Sequence, residues 1–219
     1  MYAAALFDMD GLLLDTERVY LRTFLQAAED LRFPFPDGLD AIFRSMVGLR
    51  AKDSAQIMNE KLGVHVDVAA FNEAWSSHTV VALENEMPLR ETVRETLQRV
   101  AEAKIPCAVA TSTRTSFAID HLERAGIAGF FDVVIGGEQV SKGKPAPEIY
   151  LRAAEALGVD VTKCAAFEDS NTGIRAAVAS GALAVQIPDM VAPTDEVRAL
   201  GHSIAPDLIS AARHIGLIK

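Results

Sequence analysis

The stretch that decides the fold is AAALFDMDGLLLDTE, residues 3–17, in which an apolar run ends at two aspartates. The run Ala3–Phe7 is short and continuous, as is typical of a strand covered on both faces. Side chains of a strand alternate between its faces, so Asp8 and Asp10 are expected to point the same way. Two neighbouring carboxylates disfavour each other's ionisation. The pattern therefore indicates a site where a divalent cation offsets their repulsion.

Beyond this stretch, short apolar runs alternate with helical patterns. The predicted strands are Ala3–Asp8, Ile105–Thr111, Val133–Ile135, Cys164–Glu168 and Ala182–Ile187. The helices predicted between them are Leu89–Ala103, Arg114–Ala125, Pro147–Leu157 and Thr172–Ser180. Strands separated by helices form a parallel sheet, so we predict an α/β fold with a doubly wound, Rossmann-like core.

Residues 15–86 break this alternation, because they contain no convincing strand. They instead show four helical patterns, Glu17–Leu31, Asp40–Ser45, Lys52–Leu62 and Asp67–Glu86. We therefore predict a core formed by residues 1–14 and 87–219, with residues 15–86 inserted as a small all-helical cap domain. Such an insert follows the carboxyl end of the first strand, which is where open α/β sheets place their active sites.

The amino-acid composition argues against some classes of binding partner and favours one cellular compartment. The chain has 219 residues, a net charge of −9 and a pI near 5.0, which argues against a nucleic-acid or anionic membrane surface. Its two cysteines stand in short apolar segments, as buried free thiols do in a reducing compartment. No apolar run reaches membrane-spanning length, and no secretory leader pattern is present. We therefore expect a cytoplasmic protein.

Reactive side chains follow four of the predicted strands or their loops. In chain order they are Asp8 and Asp10, then Thr111 and Ser112, then Lys144, and finally Glu168 and Asp169. Carboxylates suit Mg²⁺, and a lysine and a hydroxyl suit a phosphate group. Each feature alone could be a turn or a helix cap. Their order at successive strand ends favours phosphoryl-transfer chemistry.

Four segments carry a family resemblance: DMDGLLLDTE (8–17), ATST (110–113), GKPAPEIY (143–150) and FEDSNTG (167–173). They resemble the motifs of the haloacid dehalogenase superfamily of phosphohydrolases. The insert is similar to that of the branch with a small helical cap, which includes phosphoglycolate phosphatase and β-phosphoglucomutase. The resemblance implies a Mg²⁺-dependent phosphatase that hydrolyses a small phosphomonoester, such as a sugar phosphate, phosphoglycolate or a nucleotide-like compound.

The same resemblance implies a role for each motif residue. Asp8 would be the nucleophile that forms an aspartyl-phosphate, and Asp10 would be the general acid and base. Mg²⁺ would be held by the side chains of Asp8 and Asp169 and the backbone carbonyl of Asp10. Glu168 would be a further ligand or would hold a metal-bound water. The phosphate would be bound by Thr111, Lys144 and the backbone of Met9 and Ser112.

The cap is expected to select the substrate. Its loop at residues 48–52 contains Arg50 and Lys52, which we expect to contact a polar or anionic leaving group. The alternative is that these cations only solvate the helix that follows. Glu17 and Tyr20 are also expected to face the cleft. Because a small cap can close within one chain, we expect a monomer.

Two other functions remain open at this stage. A sugar-phosphate mutase of the same branch shares all four motifs, but it has a histidine where this chain has Tyr20, and its cap arginine aligns best with Ala51. These departures favour hydrolysis. A receiver-type signalling domain also gathers aspartates at strand ends, but it has no helical insert. The second aspartate, Asp10, argues against dehalogenase chemistry.

Overall fold

The computed structural model describes residues 2–33, 38–63 and 66–219. Its centre is a six-stranded parallel sheet in the order β3-β2-β1-β4-β5-β6. The strands are β1 (Ala4–Phe7), β2 (Cys107–Ala110), β3 (Val133–Ile135), β4 (Cys164–Glu168), β5 (Leu183–Gln186) and β6 (Ser203–Ile204). The chain runs outward from β1 to β3 and then returns to β4 on the other side of β1. The crevice at this reversal is where doubly wound sheets bind ligands.

The central strands are buried on both faces, as their unbroken apolar sequences predict. Phe7 of β1 stacks on Phe167 of β4, with ring centroids 5.1 Å apart, in the hydrophobic cluster on one face. Leu6, one residue earlier, belongs to the cluster on the opposite face, with Ala166 and Tyr150. The two-residue period of a strand thus supplies two separate cores.

Helices cover both faces of this sheet and form the insert. Those outside the insert are α5 (Val93–Glu102), α6 (Thr115–Arg124), α7 (Glu148–Ala156), α8 (Asn171–Ala179), α9 (Asp195–Arg198) and α10 (Leu208–His214). Helices α5 and α10 pack on the face of Phe7, whereas α7 and α8 pack on the face of Leu6. Among the described residues, no helix is long and apolar enough to cross a membrane.

The insert consists of α1 (Thr16–Asp30), α2 (Leu39–Arg44), α3 (Ala51–Leu62) and α4 (Val68–Asn85). These helices bury a hydrophobic cluster of their own, centred on Phe24, whose ring contacts Phe43, Phe71 and Trp75 at centroid distances of 5.0–5.6 Å. The insert thus has an apolar centre separate from the two clusters of the sheet.

The predicted α/β fold with a parallel sheet is confirmed, and each of the five predicted strands is present. The sequence pattern predicts neither β6 nor α9 nor α10. Strand β6 has two residues and α9 has four, and segments this short contain too few positions for a hydrophobic period to be detected.

Candidate active site

The loop after β1 forms the floor of the site. It turns back sharply because the backbone amides of Leu12, Leu13 and Leu14 all donate to the carbonyl of Met9. Gly11 lies at the turn with φ +82°, and a Cβ atom there would approach Asp169 Oδ2 to 2.3 Å. Glycine is therefore required both by the backbone angle and by the carboxylate beside it.

The buried side chain of Lys144 contacts the carboxyl ends of β1 and β4. Lys144 Nζ donates to Asp8 Oδ1, just after β1, and to Glu168 Oε1, at the end of β4. The Lys144 side chain is 1% exposed and that of Glu168 is fully buried. Buried charges persist only when they are paired, so Lys144 offsets part of the carboxylate charge that the strand ends bring together.

Neighbours on α7 and α8 hold Glu168 in place. The Tyr150 hydroxyl donates to Glu168 Oε1 at 2.7 Å. Ser170 donates to the other carboxylate oxygen at 3.3 Å, and it also caps α8 by accepting from the amide of Gly173. A Cβ atom at Gly173 would lie 2.0 Å from Glu168 Oε1. The start of α8 therefore fits closely around this carboxylate.

Burial changes the pKa values of the charged groups Asp8, Asp169 and Lys144. It raises the pKa of Asp8 to about 8, an effect that Lys144 opposes and Glu168 reinforces. Burial, followed by repulsion from Asp8, also raises the pKa of Asp169. Burial alone would lower the pKa of Lys144, but its two carboxylate partners raise it instead. One lysine is thus too little positive charge for this group of carboxylates.

The carboxylate cluster fits a divalent cation. Asp8, Glu168 and Asp169 are all buried, and each offers an oxygen atom within 4.8 Å of the others. An all-oxygen donor set with excess negative charge is what Mg²⁺ prefers. The Asp10 side chain does not belong to this group, and the ligand role of its backbone carbonyl stays a prediction.

Asp10 is surrounded by hydroxyl groups. Its Oδ1 atom accepts from Thr16 at 2.6 Å and from Tyr20 at 3.3 Å, and its Oδ2 atom accepts from Thr113 at 2.7 Å. These bonds orient the carboxyl group without a salt bridge. Asp8 and Asp10 therefore lie in different environments although they are two residues apart, which suits two different chemical roles.

The predicted phosphate-binding residues surround the same position. Thr111 is 1% exposed and lies at the end of β2, where its hydroxyl accepts from the amide of Thr113 at 3.1 Å. The Ser112 hydroxyl donates to the carbonyl of Gly48 in the cap at 3.0 Å, and both Thr111 and Ser112 line the cavity described next. Met9 is fully buried and does not line that cavity.

A cavity of about 670 Å³ opens between the insert and the sheet, and both Asp8 and Asp10 line it. Glu17 and Tyr20 line it as well. Burial, followed by repulsion from Asp10, raises the pKa of Glu17 well above its ordinary value. The cavity lies within the size range of small-molecule sites, roughly 300–1,000 Å³.

Arg50 and Lys52 do not line this cavity. Arg50 pairs with Asp53 at 2.8 Å, donates to the carbonyl of Ser141 and packs closely against Gly143. Lys52 is exposed at the start of α3. In this arrangement Arg50 joins the cap to the loop that carries Lys144, and neither cation is placed to contact a leaving group beside Asp10.

No role was predicted from the sequence for Thr16 and Thr113, which donate to Asp10, or for Tyr150, which donates to Glu168. Thr113 and Tyr150 belong to two of the four motif segments, ATST and GKPAPEIY. Hydroxyl residues are common in helix caps and cores, and only the fold shows which of them reach a carboxylate.

Comparison with known proteins agrees with this geometry. A family described as "Haloacid dehalogenase-like hydrolase" matches residues 5–187. The chain is 34% identical over 178 residues to a phosphorylated carbohydrates phosphatase of Thermotoga maritima, covering 81% of each protein. It is 30% identical to the fructose-1-phosphate phosphatase YqaB of Escherichia coli, covering 85% of this chain and 96% of that one. The structure of CbbY from Rhodobacter sphaeroides in complex with phosphate superposes with a TM-score of 0.76 at 26% identity, covering 97% and 96%.

Proposed function

Because the chain belongs to the haloacid dehalogenase-like hydrolases, we propose that it is a Mg²⁺-dependent phosphatase that passes through an aspartyl-phosphate. The observation that supports this most is the pair of aspartates on the cavity floor. Asp8 is paired with Lys144, whereas Asp10 is held by hydroxyl groups. This difference in environment supports a nucleophilic role for Asp8 and a proton-transfer role for Asp10.

The proposed reaction has two steps. An Asp8 oxygen attacks phosphorus, the bond from phosphorus to the leaving oxygen breaks, and Asp10 gives that oxygen its proton. Asp10 then takes a proton from water, whose oxygen attacks the phosphorus and releases inorganic phosphate and free Asp8. Thr111, the Ser112 amide and Lys144 bind the phosphoryl oxygens and stabilise their developing charge.

Asp8, Glu168 and Asp169, with the Asp10 carbonyl, would hold the Mg²⁺ ion. When bound, the ion would supply positive charge that keeps Asp8 ionised at neutral pH and neutralises the phosphate. The three buried carboxylates within 4.8 Å of one another support this assignment.

We propose a small phosphorylated metabolite as the substrate, and a sugar phosphate as its class. Two relatives that are 30% identical or more are named as phosphatases of phosphorylated carbohydrates and of fructose 1-phosphate. Residues 15–86 act as the cap in this proposal, with Glu17 and Tyr20 facing the leaving group. We further propose that the cap closes within one chain of a cytoplasmic monomer.

Trapping the covalent intermediate tests the proposal. The Asp10→Asn variant, given 4-nitrophenyl phosphate and Mg²⁺, should release one equivalent of nitrophenolate rapidly and then stall, because this leaving group needs no proton but the second step needs a base. Mass spectrometry should locate the phosphoryl group on Asp8.

The Asp8→Asn variant is the matched control and should show neither the burst nor the modification. Phosphorylation at a residue other than Asp8, or full turnover without Mg²⁺, would contradict the proposed mechanism.

A further inference from the structure

The cavity extends well beyond the two aspartates. One wall is a face of α4 from Asn72 to Glu84, which spans about 18 Å along the helix axis. The opposite wall is a face of α6 from Phe117 to Arg124, which spans about 10 Å. The space is therefore a channel that starts at Asp10 and continues between these two helices.

The far end of the channel is polar. We define the distal subsite as Glu84 of α4 with Asp120, His121 and Arg124 of α6, all of which line the cavity. Arg124 donates to the carbonyl of Leu83, in the last turn of α4, and lies 3.6 Å from Asp120. This contact joins the two helices and holds the guanidinium group at the channel's end.

His121 is the buried member of this subsite. It is 8% exposed, and its Nδ1 atom has no hydrogen-bond partner among the residues that the structure describes. A buried polar atom without a partner is destabilising, and a bound ligand's hydroxyl or amide would supply the missing hydrogen bond. The imidazole ring can serve as donor or acceptor for such a group.

The middle of the channel is apolar. Phe117 and Val80 face it from opposite helices and are 57% and 54% exposed. Large exposed apolar side chains beside a cavity mark surface that a ligand covers. The channel thus runs from a reactive end through an apolar section to hydrogen-bonding groups.

We propose that the natural leaving group contains a second ring, whose face packs on Phe117 and whose polar edge binds the distal subsite at His121. This inference rests on the proposed phosphatase function and specifies its substrate. A single sugar ring beside Asp10 would not extend along the two turns of α6 that separate Phe117 from Arg124. A second sugar and a nucleobase share the required chemistry, a ring face with a hydrogen-bonding edge.

Pairs of phosphate esters that differ by one ring test the proposal and distinguish a second sugar from a nucleobase. Ribose 5-phosphate is compared with adenosine and uridine 5′-monophosphates, and glucose 6-phosphate with trehalose 6-phosphate. We expect at least one two-ring ester to exceed its one-ring partner by tenfold or more in kcat/KM. The His121→Leu variant should reduce that ratio at least fivefold. Asp120→Ala should do the same, and because the Asp120 side chain is 56% exposed this variant tests the subsite without removing a buried group.

The control variant is His214→Leu, an exposed histidine on α10 outside the cavity, which should leave the ratio unchanged. The inference is overturned if no two-ring ester is preferred, or if the preference survives both subsite substitutions. Calorimetric binding of the same pairs to the Asp8→Asn protein gives a second readout. If no ester is hydrolysed, the proposed phosphatase function fails, and this binding ratio still decides whether the subsite exists.

Discussion

At the scale of single residues, Lys144 decides whether the carboxylates at the strand ends can coexist. It contacts both Asp8 and Glu168, and all three side chains are nearly inaccessible to solvent. Removing one partner of a buried ion pair leaves the other charge uncompensated, which costs more than the pair itself contributes. In the proposed mechanism, stability and catalysis therefore depend on the same side chain.

Replacing Lys144 with methionine should reduce kcat/KM for any substrate ester by at least about a hundredfold, because the phosphoryl oxygens lose a fixed positive charge. The free energy of unfolding should fall by about 3 kcal/mol. Steady-state kinetics and urea denaturation measure the two effects. Lys142→Met, two residues away and exposed, is the matched control and should change neither quantity. Equal effects in both variants would show that Lys144 acts only through its charge and not through its contacts with Asp8 and Glu168.

At the scale of elements, the start of α8 positions Glu168. Ser170 caps the helix and contacts the carboxylate, and Gly173 leaves the space that the carboxylate occupies. The glycine is needed here for close approach rather than for an unusual backbone angle. A helix interior would otherwise favour alanine by about 1 kcal/mol.

The Gly173→Ala substitution should therefore displace Glu168 and weaken Mg²⁺ binding by tenfold or more, as followed by the Mg²⁺ dependence of phosphatase activity. The control is Gly129→Ala, because nothing lies within 4 Å of a Cβ atom at Gly129. That variant should keep the Mg²⁺ dependence and lose no stability. Unchanged Mg²⁺ affinity in Gly173→Ala would argue against Glu168 as a ligand.

At the scale of the whole molecule, the fold concentrates negative charge that the metal-free chain does not fully neutralise. The pKa of Asp8 rises from 3.8 to about 8 on folding, mainly through burial. The folded chain therefore keeps a proton that the unfolded chain releases between these pH values. Its contribution to stability is present below about pH 4 and is lost as the pH rises towards 8.

In EDTA, the melting temperature should consequently fall between about pH 5 and pH 8, and Mg²⁺ should raise it more at the higher pH. Differential scanning calorimetry measures both effects. The Asp8→Asn variant cannot ionise at this position and should show a shallower fall. If wild type and variant have the same pH slope in EDTA, Asp8 is not the group responsible.

Much of this architecture is encoded locally. The five apolar runs predict their strands because strands buried on both faces need no alternation. Asp8 and Asp169 stand out because charged residues directly after such runs must lie at the carboxyl edge of a parallel sheet. Asp10 and Lys144 lie in the loops that follow β1 and β3. The role of Tyr150 was not apparent, because its hydroxyl reaches Glu168 across 18 positions of chain.

The parallel α/β core could be predicted from the sequence and is confirmed, because hydrophobic period and strand direction are local properties. The cap role of residues 15–86 and the roles of the residues at the strand ends stay predictions. Which side chains line the same wall of the cavity depends on the tertiary structure alone. It directed Arg50 to the loop at Ser141 instead of the cavity, and it brought His121 and Glu84 to one channel end. Contacts between α4 and α6 depend on how the insert packs over the sheet, and a local sequence pattern contains no information about that packing.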